Sequence, residues 1–396
     1  GSGYDPVKPF DIYVYPMGRE MATDMNNTDV LFFHVSTDAQ TVDVVEIGQG
    51  ACTIIDDFMY EDFAGYLELP TADYVLDIRD ETGMNSVVAY SAPLSTLELD
   101  GAALVTVASG FLAPENNSNG PAFGLWVALP TGGELIELPV YEPMARVQVI
   151  HNSADLAAEV VDVWLDNTLL LDNFTFRTAS PFIDAPAGTE FTISIKGPDS
   201  MDPNDPIWSQ DYTLADGETY VLVANGIVSG SGYDPVKPFD IYVYPMGREM
   251  ATDMNNTDVL VFHRSTDAPT VDVVEIGQGA GTIIDDFMYE DFAGYLGLPT
   301  ADYVLDIRDE TGMNSVVAYS APLSTLELDG AALVTVASGF LAPENNSNGP
   351  AFGLWVALPT GGELIELPVF EPGTARVQVL HNSADAAANM VDVWLD

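Results

Sequence analysis

A duplication constrains this chain more than any other feature of its sequence. Residues 1–143 of the 396 return as residues 230–372 with six differences. The differences are Phe32/Val261, Val35/Arg264, Gln40/Pro269, Cys52/Gly281, Glu68/Gly297 and Tyr141/Phe370. The fold must therefore be built from repeated units, each of which buries its own core or stacks on its neighbours.

The repeated stretch itself contains two related modules. A short element occurs four times: an apolar strand, then His-x-Ser-x-Asp-Ala, then Val-Asp-Val, at 30–44, 147–163, 259–273 and 377–393. These copies hold all four histidines of the chain. They predict an alternating series: a closing strand of an A module (1–28), module B (29–144), module A (145–257), a second module B (258–373) and the opening strands of a second module A (374–396).

Short runs of alternating residues, separated by turn residues, predict strands throughout. In module B we expect strands at 30–34, 41–46, 53–58, 65–69, 74–79, 87–91, 104–108 and 123–128, with 97–99 running into a turn. In module A the clearest predicted strands are 190–196, 207–213 and 220–224, and residues 9–16 predict the closing strand. No stretch has a sustained helical period. The pattern predicts an all-β fold of tandem immunoglobulin-like Greek-key β-sandwich modules, with Val163 and Val223 in the core of module A.

The charge of the chain limits its partners. A formal net charge of -50 disfavours nucleic acid and anionic lipid surfaces. No apolar run approaches the roughly 20 residues of a membrane span.

Cys52 is the single cysteine, so the sequence offers no intrachain disulfide and no cysteine-based metal site. Near absence of cysteine is typical of bacterial exported proteins.

The repeated motif also carries a resemblance to a known family. The matching positions are His34, Ser36, Asp38 and Asp43 in module B, and His151, Ser153, Asp155, Asp162, Gly188 and 220–226 in module A. The pattern resembles an uncharacterised bacterial family, a domain of unknown function that forms exported β-sandwich modules, often in tandem. Module B departs from it at Thr71-Ala72, where the family has Ala-Gly, and at Ala103-Leu104, where it has an aromatic residue. The resemblance implies export and tandem surface modules, and it implies no activity.

The His-x-Ser-x-Asp element is a candidate site. Its members are His34, Ser36 and Asp38; His151, Ser153 and Asp155; His263, Ser265 and Asp267; and His381, Ser383 and Asp385. Residues at i, i+2 and i+4 of a strand share a face, so the three side chains could converge. A nucleophilic triad also needs an oxyanion hole, and nothing in the sequence suggests one. A structural zinc needs about four ligands, whereas each module offers one His and almost no Cys. We therefore favour a structural motif, in which Ser and Asp bond backbone amides of a turn and His bonds a neighbouring strand, over catalysis or zinc.

Two acidic loops are candidate calcium sites. One contains Asp24, Asn26 and Asp29 at the A-to-B junction, and the other contains Asp199, Asp202, Asn204 and Asp205 in module A. Calcium takes six to eight oxygen ligands, which carboxylates, amides and carbonyls of such loops supply. Neither loop has a recognised calcium-loop spacing, and the alternative is a solvated acidic loop. We expect no other cofactor.

Aromatic residues offer a candidate glycan site. Tyr13 and Tyr15, or Trp164 and Trp208, could form a sugar-stacking face. Strand alternation places at least one residue of each set in the core, which favours packing over binding.

Two functional hypotheses follow. The first is a structural, non-enzymatic protein of the bacterial cell surface, an extracellular filament, stalk or adhesin shaft formed by self-association or as a longer covalent array. Near-identical copies suit a length-giving role, because specialised sites would differ between modules. The second is a cell-envelope binding module for glycan or calcium. We also expect this chain to be a window from a longer array, because the A-type segments at its two ends do not add up to a whole A module.

Overall fold

The computed structural model of this chain describes residues 3–201, 206–279, 281–373, 377–385, 387 and 390–392. The fold is all-β, with 49% of residues in strands and 3% in helix, arranged in several separate sheets as expected for tandem β-sandwich modules. Within the described residues, no helix has the length and apolarity needed to cross a membrane. The chain divides into two compact units, residues 1–142 and residues 143–396, each considered by itself below.

The first B module is a sandwich of two sheets. Its strands are β1 (Asn27–His34), β2 (Val42–Glu46), β3 (Cys52–Phe58), β4 (Phe63–Pro70), β5 (Asp73–Asp80), β6 (Ser86–Pro93), β7 (Ala103–Ser109), β8 (Gly124–Ala128) and β9 (Ile136–Glu137). One sheet has the order β4-β1-β7-β8-β9 and the other β3-β2-β5-β6. The motif strand β1 pairs in parallel with the late strand β7. A 3-10 turn follows at Pro114–Asn116.

Module A repeats this plan with different turns. Its strands are β10 (Met144–His151), β11 (Val160–Leu165), β12 (Thr168–Thr175), β13 (Thr178–Ala179), β14 (Ile183–Pro186), β15 (Glu190–Lys196), β16 (Trp208–Thr213), β17 (Thr219–Asn225) and β18 (Asp240–Pro245). A 3-10 turn at Leu156–Ala158 follows the motif. One sheet has the order β12-β11-β15-β16, and the other contains β18-β17-β10-β13, with β14 also on β10.

The second B module has the architecture of the first. Its strands are β19 (Asn256–His263), β20 (Val271–Glu275), β21 (Gly281–Phe287), β22 (Phe292–Pro299), β23 (Asp302–Asp309), β24 (Ser315–Pro322), β25 (Ala332–Ser338), β26 (Gly353–Ala357), β27 (Gly362–Glu363) and β28 (Ile365–Glu366), with a 3-10 turn at Pro343–Asn345. Its sheets have the orders β22-β19-β25-β26-β28 and β21-β20-β23-β24. The immunoglobulin-like Greek-key order remains a prediction.

Most predicted strands are present, and three expectations were wrong. Residues 97–99 contain no strand, and a turn occupies residues 94–98. Residues 9–16 contain no strand, although their copy forms β18. Residues 377–385 and 390–392, expected to begin a second module A, contain no strand either. The copy of residues 9–16 forms β18, which pairs with β17. The copy of the segment that begins at 377 lies in β10, which pairs with β13, β14 and β17. All of these partner strands come from residues 178–225, which occur once in this sequence.

The apolar residues of the strands serve two different surfaces. In β17, Leu222 and Ala224 lie in the core of module A, together with Val163 as predicted. Val221 and Val223 point to the other side of the same strand, into a separate cluster shared with the second B module. The prediction that Val223 belongs to the core of module A was therefore wrong, because β17 is buried on both faces.

Candidate functional site: motif loops and module interface

The motif histidines close the loop that follows the first strand of each module. Nε2 of His34 lies 3.0 Å from the carbonyl oxygen of Gln40, and Nε2 of His151 lies 2.7 Å from that of Ala158. The same contact joins His263 to the Pro269 carbonyl at 3.1 Å. Because a carbonyl oxygen only accepts, each Nε2 carries the proton and donates.

The motif serine and aspartate fasten the same loop to the end of the late strand. Ser36 Oγ donates to the Gly110 carbonyl at 2.7 Å. Asp38 accepts hydrogen bonds from the backbone amides of Leu112 and Ala113 and from the Asn117 amide. Equivalent bonds occur in the other two modules. In module A, Ser153 donates to the Gly226 carbonyl, and Asp155 accepts from Val228, Ser229 and Tyr233. In the second B module, Ser265 donates to the Gly339 carbonyl, and Asp267 accepts from Leu341, Ala342 and Asn346.

Burial sets the protonation of these groups. Removal from water lowers the pKa of His151 to about 4 despite its bond to the Ala158 carbonyl, and burial also lowers the pKa values of His34 and His263. These imidazoles are therefore neutral at pH 7. Burial acts to raise the pKa of Asp155, but the hydrogen bonds that it accepts outweigh burial and lower it.

The geometry of the motif matches fastening of the loop better than acid–base chemistry. In the first two modules the serine hydroxyl donates to a backbone carbonyl, and the histidine Nε2 proton is directed to another carbonyl. Among the described residues, Nδ1 of His34 and of His263 is buried without a hydrogen-bond partner. In the fourth copy, Ser383 N and Asp385 N bond the side chains of His381 and Ser383 in an exposed loop.

The predicted calcium loops have the following geometry. Asp24 accepts from the amide and side chain of Asn26. Asp29 is buried and bonded to the Arg19 guanidinium and the Thr23 amide, so its bonded carboxylate oxygen already has two donors. Asp199 accepts from the Asn173 amide group. Asp202, Asn204 and Asp205 lie outside the described residues. No group of three or more His, Cys, Asp or Glu side chains suited to a metal occurs in the part of the chain that the structure describes. Calcium binding remains a prediction.

The candidate sugar-stacking residues are packed against protein. Trp164 is buried beneath the Lys196 ammonium group, 4.0 Å from its ring centroid, and Trp208 packs edge-on against Phe239. Tyr13 and Tyr15 are half-buried against Phe33 and Phe63. Trp164 is buried and Trp208 is half-buried, so neither the tyrosine pair nor the tryptophan pair presents two exposed rings.

Sequence reasoning missed the most extensive feature, the interface between module A and the second B module. Its centre is an apolar cluster of buried residues from both modules. They are Ile150, Ala179, Phe182, Val221 and Val223 of module A, and Leu260, Phe262, Val334, Val336, Ala357 and Leu364 of the second B module. The available signal was a run of apolar residues on both faces of one strand, as in Val221-Leu222-Val223-Ala224.

Polar contacts surround this cluster. Gln148 Nε2 donates to the Leu358 carbonyl at 2.8 Å. Arg177 donates to Ser338 Oγ at 3.0 Å and to the Ala351 carbonyl at 2.8 Å, and its guanidinium lies 4.0 Å above the Trp355 ring. Burial lowers the pKa of Arg177 to about 10, which leaves it charged at pH 7. Such stacking combined with a planar fork of donors is specific to arginine.

The two modules also share backbone hydrogen bonds. Strand β13 of module A pairs antiparallel with β27 of the second B module, with Thr178 opposite Glu363 and Ala179 opposite Gly362. The Leu364 amide donates to the Arg177 carbonyl at 2.8 Å. A β-sheet therefore continues from one module into the next.

Two of the six differences between the copies alter buried positions. Val261 replaces the core residue Phe32, and the core of the second B module encloses a cavity of about 80 Å³, against about 20 Å³ beside Phe32. Arg264 replaces Val35, and its buried guanidinium lies between Tyr242 of module A and Phe262. Its Nε and Nη1 have no hydrogen-bond partner in the part of the chain that the structure describes.

Comparison with known proteins adds a family match for module A. Residues 145–238 match a domain of unknown function, DUF4397. A domain of unknown function is thus found where the motif predicted one, and the export and tandem arrangement that the resemblance implies remain predictions. No curated protein matches the sequence.

Three solved structures are similar in part. The Bacillus anthracis TIE protein is 7% identical with a TM-score of 0.19; the match covers 79% of this chain, which spans about half (50%) of that one. A candidate adhesin from Bacteroides ovatus is 10% identical with a TM-score of 0.18, covering 86% of this chain and 95% of that one. A candidate cell adhesion protein from Bacteroides eggerthii is 9% identical with a TM-score of 0.15, covering 58% and 98%. These low scores give no information on function.

Proposed function

We propose that this chain is a structural, non-catalytic repeat protein of the bacterial cell surface, in which A and B modules stack into a filament, stalk or adhesin shaft. The observation that carries the proposal is the interface between module A and the second B module. An apolar cluster, a continued sheet and buried polar contacts join the two modules within one compact unit. Modules joined by a flexible linker alone would not hold a fixed length or orientation.

The composition of the chain suits such a role. A net charge of -50 keeps neighbouring fibres apart and maintains solubility in a chain that is 47% hydrophobic. The motif side chains are directed to backbone groups of their own module, so the same motif can recur in each module without presenting a reactive group. Alternation of dissimilar modules also limits mispairing between neighbours during folding.

Electron microscopy of material sheared from the cells that make this protein tests the proposal. Labelling with antibody against module A should decorate regular extended structures outside the cell. Protease treatment of intact cells should remove the antigen and spare a cytoplasmic marker. Dispersed globular particles, or an antigen protected until the cells are lysed, would contradict the proposed function.

A further inference from the structure

We propose that the first B module has a docking surface for an A-type module body, meaning a polypeptide with the sequence of residues 145–229 that lacks a closing strand. The surface consists of Phe10, Ile12, Val14, Val105, Val107 and Leu135. The inference names the partner of one module in the proposed array and rests on that proposed function. It derives from a comparison of two nearly identical copies in one chain.

The segment before the first B module sits on that module as its copy sits on the second. The Asp5 amide donates to Asn117 Oδ1 at 3.0 Å, and the Asp234 amide donates to Asn346 Oδ1 at 2.9 Å. Tyr15 packs on Phe63 with ring centroids 5.2 Å apart, and the copied pair is 5.0 Å apart. The inner side of residues 3–28 is therefore already in position.

The outer side of this segment is exposed. Phe10 and Ile12 are 94% and 75% exposed, whereas Phe239 and Ile241 are 7% and 5% exposed in the core of module A. The copy, β18, pairs along its length with β17. Among the described residues, no strand pairs with 10–16. The segment thus presents the apolar side chains and the backbone groups of a closing strand, the arrangement that permits strand addition.

The outer face of the first B module is uncovered in the same way. Val105 and Val107 are half-buried, whereas Val334 and Val336 are buried against module A. Leu135 is 46% exposed, whereas Leu364 is 5% exposed and bonded to the Arg177 carbonyl. Module A therefore covers residues of the second B module whose copies on the first B module remain uncovered.

The occupant must be an A body without its own closing strand. In a complete module A, β18 already lies beside β17 in the place that residues 10–16 would take. Val221 and Val223 of the module A in this chain already pack on the second B module. A body equivalent to residues 145–229 has both surfaces free, and Ser229 joins Gly230 directly in the copy that forms a complete module A.

An extended chain tests this inference. Residues 145–229 are placed before Gly1 of the full chain. Because the compared copies have identical sequences, hydrogen exchange is measured by NMR on samples that are isotope-labelled in one segment at a time. Amides of residues 10–16 and 132–135 should slow to the exchange rates of their copies, 239–245 and 361–364, in the same molecule. The amides of the added body should become protected at the same time.

Two controls separate docking from folding of the added body. An added body with Asp at the counterparts of Val221 and Val223 should leave residues 132–135 exposed. An added module that includes its own closing strand, residues 145–245, followed by a flexible linker, should fold and leave residues 10–16 fast-exchanging. An added 145–229 body that stays unprotected, or one that folds while residues 10–16 exchange as before, overturns the inference. Docking in the extended chain together with an absence of surface fibres would contradict the proposed function alone.

Discussion

Gly361 lies against the backbone of Pro181, so closely that a Cβ atom at Gly361 would stand 2.4 Å from the Pro181 nitrogen. Its copy in the first B module, Gly132, has nothing within 4 Å of the same position. Both glycines have nearly the same positive φ, +70° and +71°. Substituting each glycine in turn therefore separates two contributions to the loss of stability. One is the strain of a side chain at this positive φ, and the other is the clash between modules, which arises only at Gly361.

We expect Gly361→Ala to open the interface between module A and the second B module. Both Gly361→Ala and Gly132→Ala incur the backbone strain of about 1–2 kcal/mol for a left-handed alanine. Only Gly361→Ala also forces the backbones of β13 and β27 apart, and it should speed amide exchange at Ala179 and Leu364. Site-resolved hydrogen exchange measures this, with Gly132→Ala as the matched control. Equal effects of the two substitutions would show that the close approach at Gly361 is not part of the interface.

Val163→Asp and Val223→Asp should differ in their consequences. Val163 lies in the core of module A, and an unpaired buried carboxylate there costs several kcal/mol, so module A should unfold. Val223 faces the second B module, so its aspartate should separate the two modules while the sheets of module A persist. Exchange rates in β15 report folding of module A, and those at Leu364 report docking. Loss of protection in β15 in both variants would show that Val223 belongs to the core of module A.

The cavity beside Val261 should lower the free energy of unfolding of the second B module. Val261→Phe restores the residue of the first copy and should stabilise the second B module, whereas Phe32→Val should destabilise the first by about 2 kcal/mol through lost burial and a new cavity. Exchange of the slowest amides in β7 and β25 measures the two modules separately within one chain. A Val261→Phe variant that is less stable than the parent would indicate that the surrounding core has closed around valine.

Acid should weaken the motif loops. The pKa of His151 is about 4 in the folded chain and about 6.5 when unfolded, so between these values the unfolded state binds more protons. The stability from neutral His151 is fully present above about pH 6.5 and is lost as the pH falls toward about 4, by up to about 3 kcal/mol. NMR titration of the imidazole protons should show His34, His151 and His263 titrating below pH 6.5. A normal titration of His151 would contradict the buried, neutral ring.

Salt should stabilise the chain without requiring calcium. The net charge of -50 makes the folded state self-repelling, and ionic strength screens this repulsion. At the junction loop, Asp29 Oδ2 accepts from Arg19 and Thr23, and Asp29 Oδ1 is buried without a hydrogen-bond partner among the described residues. A solvated acidic loop, the alternative to a calcium site, predicts that calcium raises the melting temperature no more than magnesium does at equal concentration. A calcium-specific increase that Asp24→Asn removes would establish a calcium site at the junction.

The period of the sequence, with its turn residues, predicted most of the local structure. The offset of the repeat predicted two copies of one strand order, and alternation located strands such as Glu190–Lys196 with correct bounds. The all-β class follows from the same pattern. These are local properties, because strand propensity and turn chemistry depend on near neighbours in the chain.

The tertiary structure decided which apolar face of a strand meets which partner. Alternation shows that Val221 and Val223 share one face of β17 and that Leu222 and Ala224 share the other, but both faces are apolar, so the pattern does not tell the module core from the module interface. The pairing of β13 with β27 joins residues far apart in sequence. For the same reason residues 10–16, identical in sequence to 239–245, contain no strand: a β-strand requires a partner for its hydrogen bonds, and only the assembled structure decides whether that partner is present.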